Sequence, residues 1–66
     1  MPLLTQSFAS TAIARGSYDT DTQTLELVFV SGRDYTFENV PEHIWDGLCA
    51  ARSAGAYFAS QIKGRY

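Results

Sequence analysis

Side chains able to do chemistry are scarce in this 66-residue chain: one cysteine, Cys49, one histidine, His43, seven carboxylates and five Lys or Arg residues. Metal binding needs convergent ligands, and the two soft or imidazole donors stand six residues apart in a segment with helical spacing. At 3.6 residues per turn that separation turns one side chain about 120° away from the other, and it matches no zinc spacing. Nucleophilic catalysis would need Ser or Cys beside a base. A single histidine without a nucleophile motif signals none. Asp19 and Asp21 pair two carboxylates, but within Asp19-Thr20-Asp21-Thr22-Gln23 they read as turn caps, and their like charges hint only weakly at a cation. Gly32 and Gly55 lack the flanking residues of a phosphate loop. The expectation is a protein that is not an enzyme and holds no metal or cofactor.

What remains is recognition. Aromatic rings on a sheet face with basic neighbours can grip single-stranded nucleic acid by stacking and phosphate contacts. Two stretches have that makeup: Arg33 with Tyr35 and Phe37, and Lys63-Gly64-Arg65-Tyr66. With Arg15, the candidates for nucleic-acid binding are Arg15, Arg33, Tyr35, Lys63, Arg65 and Tyr66. For Tyr35 and Phe37 the competing role is to seal a core, the commoner fate of an aromatic pair on one side of a short strand in a small domain. Charge is segregated along the chain. The net charge is −2, yet residues 19–46 hold all seven acids and one cation, Arg33. Arg15, Arg52, Lys63 and Arg65 lie outside that acidic middle, and only the fold decides whether they meet on one face.

The elements that must position these residues follow from two periodicities. Ala12–Tyr18 reads as a strand, followed by the turn at Asp19–Gln23. Thr24–Val30 is the clearest strand: Leu25, Leu27 and Phe29 share one face by the period of two, and Glu26, Val28 and Val30 share the other. Ser31-Gly32-Arg33-Asp34 makes the next turn and Tyr35-Thr36-Phe37 a short third strand. Pro41 suits the first position of a helix running to about Ala51, with Glu42 at the positive end of its dipole. Ile44, Trp45, Leu48 and Cys49 form its apolar stripe, which commits Trp45 and Cys49 to a core. Ser53 is a good N-cap for a second helix, in which Ala54, Tyr57, Phe58 and Ile62 recur at helical spacing and Gly64 fits the stop. The expected fold is α+β: a three-stranded antiparallel β-meander followed by two α-helices packed on one face. Residues 1–66 form a single domain, with 1–9 a loosely ordered lead-in.

Such a short domain buries only about 60% of the surface of its unfolded chain. A lone cysteine closes no internal disulfide. Met1-Pro2-Leu3-Leu4 has no basic n-region, and no run approaches the roughly 18 apolar residues of a membrane span. These features predict a cytoplasmic protein with no membrane partner.

One further pattern spans nearly the whole chain. Ser10, Ile13, Tyr18-Asp19, Leu25-x-Leu27-x-Phe29, Ser31-Gly32, Tyr35-Thr36-Phe37, Val40-Pro41, Leu48, Ser53-x-Gly55-x-Tyr57-Phe58, Ile62 and Gly64-x-Tyr66 occur in an order and spacing that resembles a KTSC domain. That short module occurs at the C-terminus of some lysyl-tRNA synthetases and as a free-standing bacterial protein. Two positions depart from its pattern: the central Tyr-x-Tyr ends here in Phe37, and the Asn that commonly follows Tyr-Phe is Ala59. The family has no established activity; its synthetase context implies RNA or single-stranded nucleic acid as a partner. The alternative is a protein-interaction module that binds a protein partner or a second copy of itself through a sheet edge or through the face carrying Val28 and Val30.

Overall fold

The structure, a computed structural model, describes residues 3–66. Met1 and Pro2, at the start of the segment expected to be loose, lie outside the described residues. Four strands, β1 (Leu3–Ser7), β2 (Ile13–Asp19), β3 (Thr24–Phe29) and β4 (Asp34–Phe37), precede two helices, α1 (Glu42–Ala50) and α2 (Ala54–Gln61). The strands form one antiparallel sheet in chain order. The α+β class and the two helices are as expected, and the strand count is corrected from three to four. The extra strand is β1, in the segment taken as a loose lead-in. Its residues are all exposed and show no buried alternation. It is a strand because its backbone pairs with β2, from Leu3 opposite Asp19 to Ser7 opposite Arg15, and such pairing satisfies N–H and C=O groups without demanding an apolar face.

Register sorts the side chains into two faces, because partners across an antiparallel pair point the same way. Leu4, Tyr18, Leu25 and Phe37 form one inner row, and Gln6, Gly16, Leu27 and Tyr35 the next. The outer face carries the row Thr5, Ser17, Glu26, Thr36 and the row Ser7, Arg15, Val28, Asp34. Both helices cover the inner face, where Ile13, Tyr18, Leu25, Leu27, Val40, Ile44, Trp45, Leu48, Ala54 and Ile62 make the core. The pairing of β2 with β3 shifts between Ile13 and Arg15. Ala14 is the extra residue of this bulge, which lets Ile13 join Gly16 and Tyr18 on the inner face despite the odd spacing.

Gly16 is where the sheet lets a helix in. A Cβ there would lie 2.8 Å from Leu27 Cδ2, 3.2 Å from Trp45 Cζ3 and 3.3 Å from Phe8. The Trp45 ring fills that space, stacked on Tyr18 at 5.9 Å between centroids and meeting the edge of Phe8 at 6.4 Å. Glycine inside a strand marks such a close approach. Gly47 plays the same part between the helices, since a Cβ there would run into the Tyr57 ring, and Gly55 lets α2 sit against Ala12.

The helix starts differ in kind. Pro41 precedes α1 as its N-cap, in extended geometry, rather than occupying the first helical position. Ser53 caps α2 as expected, its hydroxyl accepting from Ala56 N–H at 3.3 Å. Ser53→Ala is expected to cost about 1 kcal/mol in urea denaturation; an unchanged midpoint would remove the cap from the account of α2.

The buried Tyr18 donates its hydroxyl proton to the Val40 carbonyl, tying β2 to the segment that leads into α1. Burial first, then the carboxylates of Glu42, Asp46 and Asp19, raise its pKa above the ordinary 10.0. A raised folded-state value means that the phenol stabilises the fold fully below about pH 10 and withdraws that contribution as pH rises through the folded value. The Cys49 thiol, raised by partial burial and then by Asp46, works in the same direction. Stability is expected to fall above about pH 10, and to fall less steeply in Tyr18→Phe than in the parent. Parallel alkaline losses in the two proteins would clear Tyr18 of that role.

Candidate functional site

Two hydrogen-bonded reversals build the candidate site. In the β3–β4 turn, Phe29 N–H bonds to Arg33 C=O at 2.7 Å and Gly32 N–H to Phe29 C=O at 2.9 Å. Gly32 supplies the required positive φ of 96°, a conformation that costs glycine little. The turn sets Arg33 immediately before β4. At the end of α2, Ile62 and Lys63 N–H groups both reach Phe58 C=O, and Arg65 and Tyr66 N–H groups fold back to Ile62 C=O. Gly64, at φ 81°, makes that reversal. Ile62 is fully buried, so the start of the basic tail is docked and Lys63 is held beside Phe58.

These two reversals face each other across a groove of about 400 Å³ lined by Phe29, Ser31, Arg33, Tyr35, Phe37, Phe58, Lys63 and Gly64. Its walls are chiefly aromatic. Phe29 meets Tyr35 edge-on at 5.4 Å and Phe58 edge-on at 5.2 Å, and Phe37 lies tilted against Phe58 at 5.8 Å. None of these pairs is stacked face to face. Tyr35 keeps 44% of its surface exposed, and Phe37 and Phe58 are half-buried. The expectation that Tyr35 and Phe37 are core residues is therefore corrected for Tyr35, while Phe37 packs against the core at its margin. They do point to the inner side together, but the sheet ends at β4 and the short α2 covers Phe37 only in part and leaves Tyr35 open. The Tyr35 phenol is the side-chain partner that raises the pKa of the Arg33 guanidinium, a group already charged at every physiological pH.

Of the six candidate residues, Arg33, Tyr35 and Lys63 come together in this groove. Arg15 does not join them. It stands on the outer face, in a separate depression shared with Ser17, Glu26, Val28 and Asp34. Arg65 and Tyr66 are exposed beside Lys63 in sequence but do not line the groove, and Arg65 Nε donates to Ser60 C=O at 3.4 Å. Sequence reasoning missed Phe29 and Phe58 as groove residues, having placed both on apolar core stripes. The available signal was position, since Phe29 ends β3 and Phe58 lies in the second half of α2.

The other candidate chemistries find little geometry. His43 lies on the exposed side of α1 and lines neither depression. Cys49 is half-buried, packed against the core instead of sealed within it as expected. Its raised pKa is the reverse of an activated thiolate. Asp19 Oδ1 accepts from the N–H groups of Asp21 at 2.9 Å and Thr22 at 3.3 Å, the turn cap its sequence suggested. Among the described residues no cluster of His, Cys, Asp and Glu could hold a metal ion, and no helix is long and apolar enough to cross a membrane.

Comparison with known proteins decides the family. The family model described as KTSC domain matches residues 9–66, which takes in every element from β2 onward. The chain belongs to the KTSC domain family. A protein of Tsukamurella paurometabola is 36% identical over 61 residues, covering 92% of this chain and 91% of its own. The crystal structure of a KTSC domain protein from Yersinia pestis superposes with a TM-score of 0.90 at 31% identity, over 97% of this chain and 90% of that one. The residues on which the KTSC resemblance rests now have physical roles. Ser10 accepts from Ala12 and Ile13 N–H to start β2, Tyr18 and Leu48 are core, Gly55 admits Ala12, and Ser53 caps α2. Tyr35, Phe37, Phe58 and Gly64 line the groove of this KTSC domain.

Proposed function

We propose that this KTSC domain is a non-enzymatic module that binds single-stranded nucleic acid, RNA foremost, in the groove between β4 and the end of α2. The observation that carries the reading is the convergence of Arg33, Tyr35 and Lys63, from segments thirty residues apart, on a wall of aromatic rings. Rings accept unpaired bases by stacking with little regard to sequence, and flanking cations take the phosphates. The lone Cys49, without an internal partner, suits a reducing cytoplasm, where RNA is the abundant single strand. Anisotropy titration of labelled oligouridylate and oligothymidylate at about 50 and about 200 mM salt tests it. Binding at the lower concentration that weakens at the higher one is expected; no binding of either strand at low salt ends the reading.

A second reading has an observation of its own. The sheet is open, so β1 and β4 each leave an edge unpaired, and Leu3 and Leu4 on β1 are exposed. An edge of this kind can add a strand from another protein or from a second copy. The face version is weaker, because Val28 is surrounded there by Arg15, Ser17, Glu26 and Asp34. Light scattering at about 100 μM that shows only monomer would remove the self-association form.

A further inference from the structure

The groove is small. Its volume of about 400 Å³ falls at the low end of the roughly 300–1,000 Å³ that hold one small ligand, whereas strand-tracking proteins engage about 4–16 nucleotides per domain. Its charge is just as local. The chain carries −2 in all; without Arg33 and Lys63, the remainder carries −4. Acidic side chains border the site on the β4 side, with Asp34 pointing to the outer face next to Arg33 and Glu38 exposed just beyond Phe37. Arg15, which could have extended a basic track, sits on the outer face with Glu26 and Asp34. A strand leaving the groove toward β4 therefore meets carboxylates, which repel its phosphates.

We infer that this groove is a site for one nucleotide: a base against Tyr35 and the neighbouring phenylalanine rings, and its phosphate held by Arg33 and Lys63. This rests on the nucleic-acid reading above and narrows it, making the recognised group a single unstacked nucleotide, free or within a strand, rather than a length of strand. Charge complementarity names the occupant: two cations for one phosphate, beside rings sized for one base.

A length series decides the matter. Uridine, uridine 5′-monophosphate and uridylate oligomers of two, four and eight residues are titrated by calorimetry and by chemical-shift changes in the labelled protein, with inorganic phosphate as a further probe. Expected are at least a tenfold gain from uridine to the monophosphate, and no more than about a threefold gain from dimer to octamer once the number of registers is allowed for. The log–log salt slope should lie near −0.7, the single-strand value for about one neutralised phosphate. Tyr35→Ala should weaken the monophosphate by about fivefold or more, while Arg15→Glu leaves it within about twofold. Affinity that climbs tenfold or more from dimer to octamer, or a slope steeper than about −3, overturns the one-nucleotide site and leaves the nucleic-acid reading standing. Inorganic phosphate binding as tightly as the monophosphate overturns it as well, since the rings would then contribute nothing. Failure of every member of the series to bind overturns both.

Discussion

Trp45→Ala is expected to unfold the domain at 25 °C. Trp45 retains 3% of its surface, stacks on Tyr18, meets Phe8 and occupies the space that Gly16 leaves open. Removing a buried tryptophan side chain costs about 3–5 kcal/mol, part of it for the cavity left behind. A single core in a chain of this length rarely supplies more than about 3–5 kcal/mol in total, so the loss matches the whole stability. On the sheet side the void is floored by Gly16, which has no side chain to move in. Far-UV circular dichroism should show a disordered chain, while Trp45→Phe, which keeps a ring over Tyr18, should keep a cooperative transition at a lower temperature. If Trp45→Ala melts cooperatively within a few degrees of the parent, the claim that this ring organises the core is wrong.

The second large effect concerns binding. Arg33→Glu combined with Lys63→Glu is expected to weaken oligouridylate about 100-fold at low salt, because both cations of the groove become repulsive charges while its rings remain. Both residues are exposed, and Arg33 Nη groups are not needed by the turn, which is held through backbone N–H and C=O groups. Thermal stability should therefore change little. Arg15→Glu is the control: it reverses one cation on the opposite face, half the charge change of the double variant, and should move affinity less than about threefold. Equal losses from the control and the double variant would show that affinity follows overall charge and not this groove.

Most of the fold could be read from the chain because its signals are local. In β3, Leu25 and Leu27 are buried while Glu26 between them is exposed, as a period of two demands. In α1, Ile44, Trp45 and Leu48 are buried as their stripe requires. β1 could not be read, since Leu-Leu-Thr-Gln-Ser buries nothing and its strand character comes from β2. The candidate site was half legible. Residue type singled out Arg15, Arg33, Tyr35, Lys63, Arg65 and Tyr66, all of them exposed. That Arg33 and Lys63 line one groove and that Arg15 turns away depend on sheet register and on the path of α2, which no local pattern encodes. Tyr35 shows the same division: the period gave its side correctly, but its exposure depends on how far α2 reaches past β4. Gly16 carried a usable signal, a glycine inside a strand, that calls for a close neighbour without saying which one.

The strand order β1-β2-β3-β4 repeats the order of the chain, and that has a kinetic consequence. Every strand pairs with the one made just before it, so each step closes only a short loop and the search for partners is brief. The sheet can assemble early during synthesis, but its inner face then waits for α1 and α2, which come later and carry Trp45, Leu48 and Ile62. In that interval Ile13, Leu25, Leu27, Phe29 and Phe37 face water together. The nascent domain thus passes through a form whose sticky surface is the future core, and the rate at which the helices close over it sets how long the young chain is open to aggregation or to capture by a chaperone.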